Sequence, residues 1–154
     1  ISQMIRQAKS MNKCVLVDPK GSDYEKYRGA SYITPNKAEL MSVLGQWSTE
    51  EELSAKVSAL RERLDLEGVL LTRSEEGMSL YQKGSVNHFS TAAKEIYDVS
   101  GAGDTVIGIL AVMLGINYDI EHAVICANRA AGIVVGKLGT ATTSFDELFF
   151  EDGK

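Results

Sequence analysis

Apolar positions along the chain fall into two kinds of stretch that take turns: short continuous runs, and longer segments with apolar residues three and four apart. Cys14-Val15-Leu16-Val17 is a continuous run closed by Asp18-Pro19-Lys20-Gly21. Ser31-Tyr32-Ile33-Thr34 is stopped by Pro35, and Gly68-Val69-Leu70-Leu71-Thr72 by Arg73-Ser74-Glu75-Glu76-Gly77. Such runs, bounded by turn residues, predict buried strands of a parallel sheet. Helical spacing covers Met4 to Met11; Leu40, Val43 and Leu44; Leu53, Val57, Leu60 and Leu64; and Val106, Ile107, Leu110, Ala111 and Leu114. A further helix carries Ala123, Val124, Ala127, Ala130, Ala131 and Val134, and Phe145 to Phe150 predicts a short terminal one. Asn36, Ser48 or Thr49, and Asp119 stand where caps are needed. Met78-Ser79-Leu80-Tyr81 and Ser85 to Phe89 alternate about Lys83-Gly84, which predicts an antiparallel hairpin. The fold class that follows is α/β, a parallel-sheet layer with a β-hairpin.

With 154 residues, 44% hydrophobic, the chain is long enough for one domain with a core, and no apolar run reaches the length of a membrane span. A net charge of −5 argues against a nucleic-acid surface and leaves small-molecule chemistry. Cys14 and Cys126 lie in apolar runs and are expected to be buried free thiols in a reducing cytoplasm. His88 and His122 have no ligand-spaced partner, so no zinc site is expected. The chain opens on Ile1-Ser2-Gln3 with neither a methionine nor a basic leader, and reads as a piece of something longer.

The chemistry concentrates at Asp98-Val99-Ser100-Gly101-Ala102-Gly103-Asp104, followed by Gly108, where a helical pattern begins. Glycines at 101 and 103 let a ligand approach the backbone, and the first N–H groups of a helix favour an anion. Asp104 is the anomaly, because a carboxylate repels an anion. It belongs there if it takes a proton from a nucleophile attacking that anion; alternatively it is an ordinary first-turn acid, which the helix dipole also favours. The Lys-Ser/Thr ending of a Walker loop is missing, and Gly108 comes too late for a dinucleotide fingerprint.

Other candidates also carry two readings. Lys20, after the first strand, is either a phosphate contact or a solvated lysine. Asn36 and Glu39 have capping-box spacing, which suffices locally to explain them. Asn128 is polar on a small-residue helix, so it is a ligand contact or a satisfied core amide.

The Asp98 to Asp104 stretch with Gly108 resembles the C-terminal signature of the ribokinase (PfkB) family of carbohydrate kinases, with Ile109 where the family often has Ala or Gly. The resemblance implies a ribokinase-like fold, Asp104 as base, and the N–H groups of Gly101, Ala102 and Gly103 holding the charge that develops on a transferring phosphate. It implies that Asn36 and Glu39 organise magnesium through water, and that Asn36, Thr72, Ser74, Glu75, Gly77 and Asn128 contact ATP, to which its place after the first strand adds Lys20. Ser74 stands where the family usually has glycine. Asp98, Ser100 and Thr143 correspond to positions that hold potassium in several relatives. Within the family, the residues 17–21, 71–80, 98–108 and 132–140 are most similar to the kinases that phosphorylate the anomeric hydroxyl of D-glycero-β-D-manno-heptose 7-phosphate in lipopolysaccharide core synthesis. The resemblance covers the C-terminal half of such a domain. The N-terminal half with its lid, and a nucleotidyltransferase domain found in bifunctional relatives, are expected to lie outside it. A cytoplasmic homo-oligomer is the expectation; another sugar or nucleoside kinase of the family, or a nucleotide-binding module without turnover, are the alternatives.

Overall fold

In the computed structural model, which describes residues 1–93, 97–99, 101–139 and 141–150, the apolar runs become the strands of a five-stranded sheet in the order β1-β2-β3-β4-β5. The strands are β1 (Leu16–Val17), β2 (Tyr32–Ile33), β3 (Gly68–Thr72), β4 (Met78–Gln82) and β5 (Ser85–Phe89). β1, β2 and β3 run parallel, with Leu16 opposite Tyr32 and Ile33 opposite Val69. β3 and β4 run antiparallel, with Thr72 opposite Met78, and the Lys83-Gly84 turn returns the chain into β5. The helices are α1 (Ser2–Ser10), α2 (Lys37–Leu44), α3 (Glu50–Arg63), α4 (Ala102–Gly115), α5 (Ile120–Val135) and α6 (Phe145–Phe149). The chain forms two compact units.

The first unit comprises 1–73 and 78–88. Its central strand β3 has Val69, Leu70 and Leu71 fully buried, which is why the sequence there is a continuous apolar run instead of an alternation. Leu53, Val57, Leu60 and Leu64, on one stripe of α3, fill the core beside Ile33, Leu40 and Val69. Caps set the starts of both neighbouring helices: Asn36 Oδ1 accepts from the Glu39 N–H at 2.9 Å while Glu39 Oε2 accepts from the Asn36 N–H at 2.9 Å, and Thr49 Oγ1 accepts from Glu52 at 3.1 Å. The first apolar run overstates its strand. Only Leu16–Val17 pairs, at the sheet edge, and Val15, Leu16 and Val17 are half-buried. Cys14, just before that edge, is exposed, which corrects the expectation of a buried thiol; Cys126 is half-buried on α5.

The second unit, 74–77 and 89–154, is built on α4 packed against α5. Ala123, Ala127 and Ala130 are fully buried, so the α5 backbone can come close to its neighbours. A Cβ on Gly132 would stand 2.9 Å from the Ala93 nitrogen, so that position is held to glycine by a passing segment. Among the described residues no helix is long and apolar enough to cross a membrane.

Candidate active site

Gly101 is the N-cap of α4 at φ +81°, a conformation that strains any residue with a Cβ. Its carbonyl accepts from both the N–H and the Oγ1 of Thr105 at 2.9 Å, and the Ala102 N–H donates to Val99 at 3.2 Å. The N–H groups of Gly103 and Asp104 donate to no described residue, and both residues are exposed in the first turn. A Cβ on Gly103 would meet nothing within 4 Å. The fold therefore needs glycine at 101 and not at 103. An anion approaching the turn would meet two donors that have no partner among the described residues, with a carboxylate alongside.

The 73–77 turn is the second element of interest. Ser74 adopts φ +54°, a left-handed backbone unusual for a residue with a side chain, and accepts from the Gly77 N–H at 3.1 Å. Gly77, at φ +90°, is glycine because of the chain itself: a Cβ there would collide with the Phe89 carbonyl oxygen and stand 2.6 Å from the Thr91 nitrogen. Ser74 and Glu75 are exposed. Asn128 is buried on α5, and its Nδ2 donates to the Ser90 carbonyl at 2.7 Å. Its amide nitrogen is thus committed to the segment after β5, as a satisfied core amide would be.

In the first unit, Lys20 lies between two carboxylates: Nζ is 2.7 Å from Glu39 Oε1 and 3.1 Å from Asp18 Oδ2. These hydrogen bonds, to Glu39 first and Asp18 second, hold its pKa above the ordinary lysine value. Tyr27 fixes the Lys20 backbone, its hydroxyl accepting from the Lys20 N–H at 3.0 Å and donating to the Lys20 carbonyl at 3.2 Å. Glu39 thus spends one oxygen on the Asn36 cap and the other on Lys20. Asn36 also forms a parallel bridge with Thr72, whose N–H donates to Pro35 at 3.0 Å, so the α2 cap and the end of β3 are held together.

Comparison with known proteins places the chain in a family. Residues 1–147 match the pfkB family of carbohydrate kinases. The chain belongs to that family. It is 50% identical over 148 residues to the D-beta-D-heptose 7-phosphate kinase of Bordetella bronchiseptica, covering 96% of this chain and 47% of that protein. It is also 50% identical over 149 residues to the bifunctional protein HldE of Vibrio cholerae, of which it covers 31%. The chain thus spans half or less of the length of these relatives. Among solved structures, Thermotoga maritima ribokinase superposes with a TM-score of 0.80 at 28% identity, over 94% of this chain and 50% of that one. Arabidopsis thaliana ribokinase complexed with ribose and ATP gives 0.79 at 26%, over 90% and 46%. The ribokinase-like α/β fold expected from the sequence is the fold observed.

In this pfkB chain, the residues singled out from sequence occupy separate groups. Asn36, Glu39, Lys20 and Thr72 belong to the first unit; Ser74, Glu75, Gly77, Asn128 and the 101–104 turn belong to the second. Asp98 and Thr143 are half-buried, and the Asp98 N–H donates to Val135 at 3.3 Å, whereas Ser100 lies outside the described residues, as does the 94–96 segment. Sequence reasoning passed over Asp18, which shares Lys20, and Arg73, which is 8% exposed despite its charge. An arginine directly after a buried strand was the available signal in that second case.

Proposed function

We propose that this chain is the C-terminal part of a kinase that transfers the γ-phosphoryl group of ATP to the anomeric hydroxyl of D-glycero-β-D-manno-heptose 7-phosphate. The observation that carries the reading is Asp104 in the first turn of α4 beside backbone N–H groups that donate to no described residue, in a pfkB chain half identical to a heptose 7-phosphate kinase. In the transfer, the sugar oxygen attacks the γ-phosphorus, the bond from that phosphorus to the ADP oxygen breaks, and Asp104 takes the hydroxyl proton. Charge gathering on the phosphoryl oxygens is met by the N–H groups of Gly101, Gly103 and Asp104, none of which donates to a described residue; that of Ala102 is already bonded to Val99. The nucleotide contacts assigned to Thr72, Ser74, Glu75, Gly77 and Asn128 rest on the family resemblance, and Asn128 Nδ2 holds the Ser90 carbonyl.

Asn36 and Glu39 supply oxygens of the hard type that suits magnesium, and no described group of three or more acidic, His or Cys side chains could hold a metal directly. That donor set fits an ion kept in its water shell and reached through water. Bound there, magnesium would supply positive charge to offset that of the phosphates. Glu39 Oε1, which pairs with Lys20 at 2.7 Å, and Asn36 would be the residues that hold such water.

The test is an ATP-coupled assay on heptose 7-phosphate with the complete protein and its Asp104→Asn variant. The variant keeps the shape of the side chain and loses the base, so turnover should fall by at least ~10²-fold while ATP affinity is nearly unchanged. Near-normal turnover would remove Asp104 from the role. Turnover on other sugars in preference to heptose 7-phosphate would leave the kinase and overturn the substrate.

A further inference from the structure

Arg73 is a charged residue in a buried place, and its contacts converge on the root of a strained turn. Its guanidinium forms a two-pronged pair with Glu50, Nη2 to Oε1 at 2.5 Å and Nη1 to Oε2 at 2.8 Å. Nη1 also lies 3.3 Å from Ser79 Oγ, which is 3.1 Å from His88 Nδ1. Glu50 is the first residue of α3, where the helix dipole favours an acid, while Ser79 is on β4 and His88 on β5. A forked arginine fixes geometry in a way a lysine point charge does not. One side chain therefore ties the exit of β3 to the start of α3 and to the hairpin.

The next residue is Ser74, held at φ +54° where left-handed backbone disfavours any side chain. The turn from Ser74 to Gly77 is one turn of 3-10 helix over Ser74–Glu76, in which the Gly77 N–H donates to Ser74 O at 3.1 Å. Strain of this kind persists only where the surroundings over-determine it. Gly77 is pinned at the far end by the Phe89 to Thr91 backbone. At the near end the anchor is Arg73.

We infer that Arg73, braced by Glu50, is a positioning residue that holds Ser74 in its left-handed conformation, so that the 74–77 turn presents its backbone to the nucleotide phosphates. The inference rests on the nucleotide reading above for the ligand, but not for the clamp itself. Without the fork the serine relaxes toward negative φ, and the turn must be re-formed when nucleotide binds. With glycine at 74 there is no strain to hold, and Arg73 loses its task.

Two measurements on the chain separate the possibilities. The first is amide hydrogen exchange, followed residue by residue. In Arg73→Met, and more weakly in Glu50→Gln, whose exposed carboxyl cannot unfold the core, Gly77 N–H should lose protection while Leu70 and Leu80 keep theirs. Unchanged Gly77 protection in both variants overturns the clamp. The second is titration with MgATP. Arg73→Met should weaken binding about tenfold in the Ser74 chain, the scale of a left-handed penalty, and less than about twofold in a Ser74→Gly background. An equal loss in both backgrounds means that Arg73 acts through general stability, and the proposal falls. If Gly77 protection is lost as expected but the unaltered chain takes up no MgATP, the clamp stands and the nucleotide reading is what fails.

Discussion

Two glycines that look alike in the sequence are held to glycine for opposite reasons. Gly77 is demanded by the fold, since a Cβ would run into the Phe89 backbone. Gly103 is demanded by nothing in the chain, because a Cβ there reaches open space. A glycine in a helix gives up roughly 0.5–1 kcal/mol against alanine, so its use in the first turn of α4 is a cost without structural return. Gly103→Ala should therefore leave the melting temperature unchanged or raise it, while weakening MgATP binding; Gly77→Ala should lower the melting temperature sharply. Equal MgATP affinity in Gly103→Ala would mean that no ligand approaches that backbone. The sequence alone grouped these glycines with the phosphate site by resemblance, and could not see Phe89 lying across one of them. Ser74 shows the reverse: serine stands where the family usually has glycine, yet its φ of +54° keeps the backbone shape that glycine would allow.

At the scale of elements, the caps were legible because their signal is local. Asn36 with Glu39, Thr49 and Asp119 all cap the helices their spacing predicted. Strand lengths were less legible, because an apolar run reports burial, and pairing depends on neighbours distant in sequence; the Cys14 to Val17 run pairs over Leu16–Val17 alone. The terminal helix α6 offers a test of cap energetics. Ser144 and Glu147 form a capping box, and Lys137 pairs with Glu147 at 2.6 Å. The Lys137 hydrogen bond first, and that from the Ser144 N–H second, pull the Glu147 pKa down to about 2 from its ordinary 4.5. A carboxylate with a depressed folded pKa stabilises above its unfolded value and loses that contribution as pH falls through the folded one. Hydrogen exchange of α6 should therefore be steady above pH 4.5, then accelerate between that value and about 2. In Lys137→Met the acceleration should start at the same pH but be smaller and confined to a narrower window, because the folded pKa moves back toward the unfolded one. An α6 that exchanges identically at pH 6 and pH 2.5, after correction for intrinsic rates, would contradict the capping account.

At the scale of the molecule, the layered α/β class and its hairpin were readable from the order of runs and periodic segments, since each element's pattern states which faces are covered. Surfaces that another surface must cover are harder to read, and α4 is the case in point. Its sequence, AGDTVIGILAVMLG, has one acid, Asp104, and no basic residue. A helix apolar on every side belongs in an interior. Yet Val112 and Ile116, one turn apart, are 61% and 60% exposed, and Gly108, Ala111 and Gly115 beside them on the helix are exposed too. This uncharged face, more than the short β1 edge, should drive the chain to associate, since exposed apolar patches of monomers are ordinarily small and a two-residue edge strand is a poor template for pairing. Light scattering over a dilution series should show a mass that falls toward the 16.7 kDa of one chain only at low concentration. Val112→Glu with Ile116→Glu should give one-chain mass throughout, with helical content retained because both side chains already face water. If the unaltered chain is a monomer at every concentration, the α4 face needs no cover; if it associates and the double variant associates equally, the contact lies elsewhere, with the β1 edge next to be tested by proline at Leu16.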